Sequence, residues 1–178
     1  MRIIAGAWRG RPIEAPAGTG TRPTSDRARE GLFSMLNSRL GDFEDLQVAD
    51  LFAGTGSFGL EALSRGAASC TFVETDRAAL EALRRNVVRL DATARADIRA
   101  LDATRFGGGP FHLVLLDPPY GSGLGEKAIW TLLDTGSLAP GCLIALETGR
   151  GEPIEIPGLA ALADRTYGKA RIRLFRRA

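Results

Sequence analysis

The stretch of sequence that decides the fold is Asp50-Leu51-Phe52-Ala53-Gly54-Thr55-Gly56-Ser57-Phe58-Gly59, which begins at the end of an apolar run. Its three glycines permit a tight turn, a close approach of the backbone to a ligand, and close packing of a helix on a strand. Glu74 follows about 20 residues after the first glycine, a spacing typical of a carboxylate that binds ribose hydroxyls. The pattern predicts a nucleotide-like ligand at this loop. A plain tight turn with a solvated Glu74 is the alternative.

The glycine spacing by itself fits both a nicotinamide cofactor and S-adenosylmethionine. Asp50 favours the second ligand, because it lies at the strand end just before the loop. A carboxylate at that place suits a ligand with a cationic amino acid moiety, whereas it would repel a pyrophosphate. We therefore expect S-adenosylmethionine as the cofactor.

Strands and helices alternate around this loop, which is typical of βαβ units and of a mostly parallel sheet covered by helices. Two further strands meet at Gly168-Lys169 and should add an antiparallel hairpin to the sheet. The predicted strands are Gln47–Phe52, Cys70–Glu74, Asp97–Ala100, His112–Asp117, Cys142–Glu147, Asp164–Tyr167 and Ala170–Arg177, and the predicted helices between them are Phe58–Arg65, Asp76–Leu90 and Leu124–Asp134.

An N-terminal extension precedes this α/β core. Residues 2–13 are predicted to form a short ribbon around a Gly6–Gly10 turn, followed by a helix that Thr24 or Ser25 caps. Gly31 should weaken this helix by up to about 1 kcal/mol relative to alanine. The 178 residues fit a single domain, with residues 1–40 as the ribbon and helix and residues 41–178 as a Rossmann-like core.

The most specific segment is Asp117-Pro118-Pro119-Tyr120, at the end of the fourth predicted strand. The two prolines fix φ and remove two N–H donors, and the residue before each proline is held extended. The result is a stiff edge that presents two acceptors, the Asp117 carboxylate and the Pro118 carbonyl, beside the flat ring of Tyr120. A proline-rich turn without a function is the alternative.

Such an edge suits methylation of a base amino group. Two acceptors that bind the amino hydrogens favour a pyramidal nitrogen, with its lone pair aimed at an electrophilic methyl group. A base in a structured duplex must first be extruded, which suits a stacking aromatic ring such as Tyr120. Asp102, just past the third strand, is a weaker candidate, because a solvated loop carboxylate is nearly as good an interpretation. The single histidine, His112, starts a strand away from the predicted site.

Charge is distributed unevenly along the chain, although the net charge is only +2. Residues 1–40 carry seven arginines against three acidic side chains, and residues 165–178 carry five arginines and one lysine with no acid. Basic ends around an acidic body predict contact of the ends with a polyanion. Solvated tails are the alternative.

No apolar run reaches the roughly 18 residues of a membrane helix, and the first six residues lack the apolar region of a signal peptide. Cys70 and Cys142 lie far apart in apolar runs without metal-ligand spacing, so we expect two buried, reduced thiols. These features predict a cytoplasmic protein without a metal or a membrane contact, and we expect a monomer.

The sequence resembles the bacterial RsmD family over nearly its whole length. The resemblance is carried by Arg22-Pro23-Thr24-Ser25-Asp26-Arg27-Ala28-Arg29-Glu30, the loop Asp50–Gly59, Glu61-Ala62-Leu63-Ser64-Arg65-Gly66-Ala67, Phe72-Val73-Glu74, Asp117-Pro118-Pro119-Tyr120 and Tyr167-Gly168-Lys169. The Asp-Pro-Pro-Tyr tetrapeptide is shared with amino-methyltransferases of DNA, RNA and protein. Together with the Arg-Pro-Thr-Ser-Asp-Arg run it becomes specific.

The resemblance implies a class I S-adenosylmethionine-dependent methyltransferase fold, with seven strands of which the last is antiparallel. It implies methylation of the 2-amino group of a guanine in 16S ribosomal RNA, conventionally numbered 966, within an assembled or assembling small subunit. By this resemblance Asp50, Gly54, Gly56, Glu74 and Asp102 would contact the cofactor, Asp117, Pro118, Pro119 and Tyr120 would meet the base, and Arg22, Thr24, Ser25 and Arg27 would lie beside the pocket. We expect Phe52, Ala53 and Thr55 of the same glycine loop to contact the cofactor as well. The uneven charge, rather than the resemblance, adds Arg9 and Arg11 of the ribbon as contacts to RNA phosphates.

Two departures and three alternatives remain open. The third strand ends with Ala100-Leu101-Asp102, where similar proteins often have glycine before the aspartate. The connection Leu90–Ala96 and the segment Gly149–Ala163 are short, so we expect no covering helix after the fifth strand. A DNA adenine methyltransferase would need a target-recognition domain, for which the chain has no room. A catalytically idle nucleic-acid-binding module is expected to have a broken glycine loop or tetrapeptide, and a nicotinamide oxidoreductase needs a substrate domain.

Overall fold

The computed structural model describes residues 1–16 and 25–178, and within them seven strands form one sheet. The strands are β1 (Gln47–Leu51), β2 (Ser69–Glu74), β3 (Ala96–Ala100), β4 (Phe111–Leu116), β5 (Leu138–Gly149), β6 (Leu159–Tyr167) and β7 (Ala170–Arg177), and the helices are α1 (Asp26–Leu40), α2 (Ser57–Ser64), α3 (Arg77–Arg89) and α4 (Leu124–Asp134). Short 3-10 turns at Thr93–Arg95 and Ala103–Arg105 flank β3. The predicted α/β class is confirmed.

The sheet has the order β3-β2-β1-β4-β5-β7-β6. Neighbours from β3 to β5 pair in parallel, whereas β7 pairs antiparallel with both β5 and β6, as predicted. The chain leaves β1 toward one edge and returns to β4 on its other side, so the strand order reverses between β1 and β4. Ligands of open α/β sheets bind at the carboxyl ends of the strands beside such a reversal. The glycine loop follows β1 and the Asp117–Tyr120 segment follows β4, so both lie there.

Helices cover the two faces of the sheet unequally. Three helices pack on one face, with Leu36 of α1, Leu63 of α2 and Leu83 of α3 fully or almost fully buried. On the other face the described residues form one long helix, α4, which buries Ile129 and Leu132. No helix follows β5, as the sequence indicates, and an open groove of about 890 Å³ lies beside α4 along β6 and β7.

The N-terminal ribbon is confirmed. Arg2 and Pro12 form an antiparallel bridge, and the amide of Ile3 donates to the carbonyl of Arg11 at 2.9 Å. Ile3 and Ile13 of the ribbon are buried in the same apolar cluster as Leu63 of α2, and polar contacts to α2 add to this packing. The fully buried Glu61 carboxylate accepts from the amides of Ile4 and Ala5 at 2.9 and 3.0 Å.

A second α2 side chain fixes the ribbon further along. The Ser64 hydroxyl donates to the Ala5 carbonyl at 2.6 Å and accepts from the Trp8 amide at 3.0 Å. Glu61 and Ser64 therefore explain why the motif from Glu61 to Ala67 carries polar residues on a buried helix.

Two predicted strands were too short. β5 begins at Leu138 rather than Cys142, because the strand continues through Pro140 and Gly141 and these residues do not form a turn. They lie where the β4–β5 register shifts. β6 begins at Leu159 rather than Asp164, since pairing with β7 continues through a register shift between Ala161 and Ala163.

The N-cap of α1 is Ser25, whose hydroxyl accepts from the Ala28 amide at 3.1 Å. Gly31 has a packing reason that the sequence does not show. A Cβ at this position would lie 2.3 Å from Cζ of Tyr167, so glycine lets α1 approach the ring. The proposed capping residue Thr24 lies outside the described residues.

Replacing Glu61 with alanine should lower the free energy of unfolding by about 3 kcal/mol. The substitution leaves two ribbon amides and the Arg65 guanidinium, which Glu61 binds at 3.0 Å, without their buried acceptor. Urea unfolding measures the loss. Glu81→Ala is the matched control, because Glu81 forms an exposed helical ion pair with Arg77 and should cost less than about 1 kcal/mol. Equal losses for the two variants would contradict the anchoring role of Glu61.

Candidate functional site

The glycine loop turns through three residues with positive φ. Phe52 has φ 59°, Gly54 58° and Gly56 88°. A non-glycine residue in this region is uncommon, and backbone strain of this kind clusters at functional sites. Within the described residues, a Cβ on Gly54 would meet nothing within 4 Å, so the backbone is open to an approaching ligand there.

The other two glycines of the loop serve packing. A Cβ on Gly56 would lie 2.4 Å from Cδ1 of Leu83, and one on Gly59 would lie 2.4 Å from Cε1 of Phe72. These distances are far below van der Waals contact, so both positions need glycine. The predicted packing role is confirmed for Gly59 and extends to Gly56, while the approach of a ligand at Gly54 stays a prediction.

Asp50 lies at the end of β1 and is only 1% exposed. Its Oδ2 accepts from the amide of Gly59 at 2.8 Å, in the first turn of α2. Burial raises the pKa of the Asp50 carboxyl well above its usual range, and the Gly59 hydrogen bond acts in the opposite direction. Asp50 therefore caps α2, a structural contact that the sequence did not predict, and its contact with the cofactor stays a prediction.

Glu74 ends β2 and joins two segments through three backbone amides. Its Oε1 accepts from Gly54 at 2.8 Å, while its Oε2 accepts from Thr75 at 2.7 Å and from Asp76 at 2.9 Å. The carboxylate thus lies directly beside the open side of the glycine loop and half-exposed. It brings a charged acceptor next to the predicted ligand position, as ribose binding requires, although that contact is a prediction.

Asn86 is a site residue that sequence reasoning missed. It lies on α3, 1% exposed, and its Nδ2 donates to the carbonyls of Thr55 and Glu14, each at 3.0 Å. Its Oδ1 accepts from the Glu14 amide at 2.8 Å. One amide therefore ties the glycine loop to the end of the N-terminal ribbon. The available signal was a polar residue on the apolar face that contains Leu83 and Val87.

The Asp117–Tyr120 segment begins where β4 ends. The amide of Asp117 donates to the carbonyl of Leu51 at 3.4 Å, which fixes the start of the segment against the neighbouring strand β1. Pro118 is buried and Pro119 is exposed, while Asp117 and Tyr120 are half-buried. The Asp117 side of the segment therefore lies next to the glycine loop at the strand reversal.

Tyr120 is held by residues from the end of β5. Its hydroxyl donates to Oε1 of Glu147 at 2.9 Å, and a Cβ on Gly149 would lie 3.3 Å from Cδ2 of its ring. Oε1 of Glu152 accepts from the amides of Gly121 and Gly149 at 2.7 and 2.9 Å, which closes the loop after the ring. Sequence reasoning gave no role to Glu147, which is 2% exposed, and missed Glu152. A carboxylate inside an apolar strand was the available signal for Glu147.

Asp102 caps the 3-10 turn that follows β3. Its Oδ1 accepts from the amide and the hydroxyl of Thr104 at 2.9 and 2.8 Å. These two hydrogen bonds, the amide first, lower the pKa of the exposed Asp102 carboxyl. These hydrogen bonds lie within its own turn, and its binding of the cofactor stays a prediction.

The basic residues of the extension differ in their surroundings. Arg9 and Arg27 are exposed, whereas the exposed Arg11 donates through Nη2 to the carbonyl of Arg89 near the end of α3. Ser25 is occupied as the cap of α1. Arg22 and Thr24 lie outside the described residues.

Arg29 corrects one sequence expectation. The basic N-terminal residues were predicted to contact a polyanion, but Arg29 is fully buried. Its Nη2 donates to Oδ1 of Asp26 at 3.0 Å and to the carbonyl of Arg2. Desolvation lowers the pKa of its guanidinium. Arg29 therefore joins α1 to the ribbon and cannot reach RNA.

The thiols of Cys70 and Cys142 are both free and buried, as expected. Burial raises the pKa of Cys142 to about 12 and that of Cys70 well above its usual range. Within residues 1–16 and 25–178 no cluster of histidine, cysteine or carboxylate side chains could hold a metal ion. No helix in that part of the chain is long and apolar enough to span a membrane.

Solved structures share this architecture. The Escherichia coli protein yhhF is 39% identical with a TM-score of 0.85, and the match covers 99% of this chain and 97% of that one. An RNA methyltransferase from Salinibacter ruber, solved with S-adenosyl-L-homocysteine, is 15% identical with a TM-score of 0.61 over 87% of this chain and 93% of that one. The second likeness shows the fold alone, which is the class I methyltransferase fold.

Curated relatives are similar over almost the same length. Ribosomal RNA small subunit methyltransferase D of Escherichia coli strain K12 is 40% identical over 99% of this chain and 90% of the relative. The protein of the same name from Haemophilus influenzae is 37% identical over 98% of this chain and 93% of the relative. The family model described as Conserved hypothetical protein 95 matches residues 1–176. The chain therefore belongs to the Conserved hypothetical protein 95 family, the RsmD family, as the motifs of its sequence indicated.

Proposed function

We propose that this protein transfers a methyl group from S-adenosylmethionine to the exocyclic 2-amino group of a guanine in 16S ribosomal RNA. The observation that carries the proposal is the placement of the Asp117–Tyr120 segment beside the glycine loop, at the carboxyl ends of the adjacent strands β4 and β1. The names of two relatives that are 40% and 37% identical over nearly the whole chain support the substrate class.

The residues of the loop fit S-adenosylmethionine. The open side of Gly54 allows the backbone to approach the ligand, and the Glu74 carboxylate beside it offers acceptors for ribose hydroxyls. When bound, the cofactor supplies an electrophilic methyl group. Phe52, Ala53 and Thr55 complete the proposed wall of this site, with Asp50 beneath the loop and Asp102 beyond β3.

The acceptors of the tetrapeptide act on the target base. A guanine amino group is a weak nucleophile, because its lone pair is delocalised into the ring. The Asp117 carboxylate and the Pro118 carbonyl each hold one amino hydrogen, which orients the nitrogen lone pair toward the methyl group and stabilises the developing positive charge. Pro119 keeps this edge stiff because it has no amide hydrogen and a fixed φ.

Tyr120 would stack on the base that is extruded from the RNA. Its hydrogen bond to the buried Glu147 fixes the ring orientation before the base arrives, so that less freedom is lost on binding. Glu147 is therefore a positioning residue in this proposal.

The proposed partner is 16S RNA within an assembled or assembling small subunit in the cytoplasm, and the protein is proposed to act as a monomer. The decisive experiment supplies the protein and labelled S-adenosylmethionine to small subunits from a strain that lacks this modification. Mapping of the label to the 2-amino group of one guanine is expected. Label on an adenine would overturn the proposed target base. Label on protein-free RNA but not on subunits would overturn the proposed substrate.

Asp117→Ala should lower the turnover of methyl transfer by about 10²–10³, or roughly 3–4 kcal/mol, because it removes one charged acceptor from the site. Calorimetry should find S-adenosylmethionine affinity nearly unchanged. The exposed Asp91→Ala on the loop after α3 serves as the control. Turnover within tenfold of the unmodified protein would exclude Asp117 as the acceptor of the amino group.

Glu74→Ala should weaken S-adenosylmethionine binding at least tenfold, because it removes a charge-assisted contact worth roughly 1.5–3 kcal/mol. The substitution also releases the amide of Gly54, so a second measurement isolates the ribose. A cofactor analogue without ribose hydroxyls should bind the unmodified protein more weakly than S-adenosylmethionine, but the two ligands should bind Glu74→Ala equally. If removing the ribose hydroxyls lowers the affinity equally for the unmodified protein and for Glu74→Ala, Glu74 orders the loop without touching the ribose.

Replacing both Arg9 and Arg11 with alanine should weaken the binding of small subunits. The slope of affinity against salt should fall by the equivalent of one to two phosphate contacts, each worth about 0.7. S-adenosylmethionine affinity should not change. Arg11→Ala alone is measured by urea unfolding as well, since it loses its bond to the Arg89 carbonyl. Arg27→Ala, whose motif lies beside the pocket by analogy, should lower turnover too. An unchanged salt slope in the double variant would make the ribbon purely structural.

A further inference from the structure

A second set of basic residues borders the site on the side of β5 and β7. We call Arg150, Arg165, Lys169 and Arg171 the C-terminal basic edge. Gly149 of β5 pairs with Ala170 of β7. Arg150 comes directly after Gly149 in the chain, and Lys169 comes directly before Ala170. Tyr120 packs against the same Gly149, where a Cβ would lie 3.3 Å from Cδ2 of the ring. The C-terminal basic edge therefore begins at Arg150, one residue after the Gly149 that packs against Tyr120.

Most of the charge on this edge is not neutralised within the protein. Arg150, Arg165 and Lys169 are exposed, and none of them forms an ion pair with the side chains of residues 1–16 or 25–178. Arg171 is the exception, because its Nε and Nη2 donate to the two oxygens of Asp164 at 2.8 and 2.6 Å.

The acids near this edge are already engaged by other donors. Arg171 lowers the pKa of the Asp164 carboxyl, which therefore stays charged and balances that arginine. Oε1 of Glu152 accepts from two backbone amides, those of Gly121 and Gly149. Arg165 donates through Nη1 to the backbone carbonyl of Asp164 at 3.0 Å, which leaves its charge without an ion-pair partner. Exposed cations without an ion pair are available to bind a polyanion.

The position of the edge indicates which polyanion. The N-terminal ribbon, with Arg9, docks on α2, whereas β5 and β7 lie on the other side of β4 in the sheet order. An RNA strand whose base reaches Tyr120 must continue on both sides of that base. Its backbone then passes one basic region on each side of the site.

We propose that the C-terminal basic edge binds RNA phosphates that flank the target nucleotide, through Arg150, Lys169 and Arg165. Arg171, which also donates to the Arg150 carbonyl at 3.2 Å, orders Arg150 rather than binding RNA. This inference rests on the proposed action on RNA, and it adds a second contact surface to the N-terminal one. Each phosphate contact adds about 0.7 to the slope of affinity against salt for single-stranded RNA.

The test compares the binding of unmodified small subunits at several salt concentrations. Arg150→Ala combined with Lys169→Ala should flatten the salt dependence by about 1.4, since two phosphate contacts are lost. The KM for subunits should rise while kcat and S-adenosylmethionine affinity stay within twofold. Arg150→Lys combined with Lys169→Arg keeps both charges and should retain the slope. The matched control is Arg84→Ala with Arg99→Ala, two exposed arginines on α3 and on the opposite edge strand β3.

Each outcome supports or overturns the inference. An unchanged slope in the Arg150 and Lys169 alanine variant, or a loss equal to that of the Arg84 and Arg99 control, overturns it. A reduced slope with subunits but an unchanged slope with protein-free 16S RNA assigns the edge to a ribosomal protein and also overturns it. Binding is measured without methyl transfer, so failure of the unmodified protein to methylate guanine would overturn the proposed function and leave this result readable.

Discussion

Backbone amides that donate to carboxylates hold the site together. The turn after β1 places Gly54 and Gly59 where neither amide has a strand or helix partner, and Glu74 and Asp50 accept from them at 2.8 Å each. An orphan buried amide would cost about 1–3 kcal/mol, so these carboxylates are needed for the fold before any ligand binds. Both acids lie at the carboxyl ends of adjacent strands, so the edge of the sheet that closes the loop is also the edge where the cofactor is proposed to bind.

A second consequence concerns the N-terminal extension. Polar side chains on two helices hold it, with Glu61 and Ser64 on α2 and Asn86 on α3. Buried hydrogen bonds fix a segment in one register, whereas an apolar contact tolerates sliding. Since Asn86 also binds the Thr55 carbonyl, the register of the ribbon is tied to that of the glycine loop. Asn86 therefore links the segment proposed to bind RNA directly to the glycine loop, in addition to the contacts of Glu61 and Ser64.

The segment after β5 forms no helix, and this shapes the part of the site around Tyr120. Glu147 and Glu152, at the end of β5 and just after it, hold Tyr120 and the loop that follows it. The chain then passes directly to β6 and β7, which leaves their α4 face open as a groove and their ends exposed beside Tyr120. Arg150, directly after β5, is exposed at this end of the sheet.

The sequence by itself determined the order of strands and helices, the antiparallel last strand and the two loops of the site. These follow from local patterns: glycine spacing, the paired prolines at 118 and 119, and the periodicity of apolar residues, all of which act within a few residues of the chain. The residues of these loops indicated the cofactor and methylation of a base amino group, and the family resemblance added 16S ribosomal RNA as the substrate. Tertiary structure alone decided that Arg29 is buried, that Gly31 faces Tyr167, and that Asn86 and Glu147 belong to the site. Each of these residues has a partner far away in sequence, from 27 residues for Tyr120 and Glu147 to 136 for Gly31 and Tyr167, so these contacts exist only once the sheet has assembled.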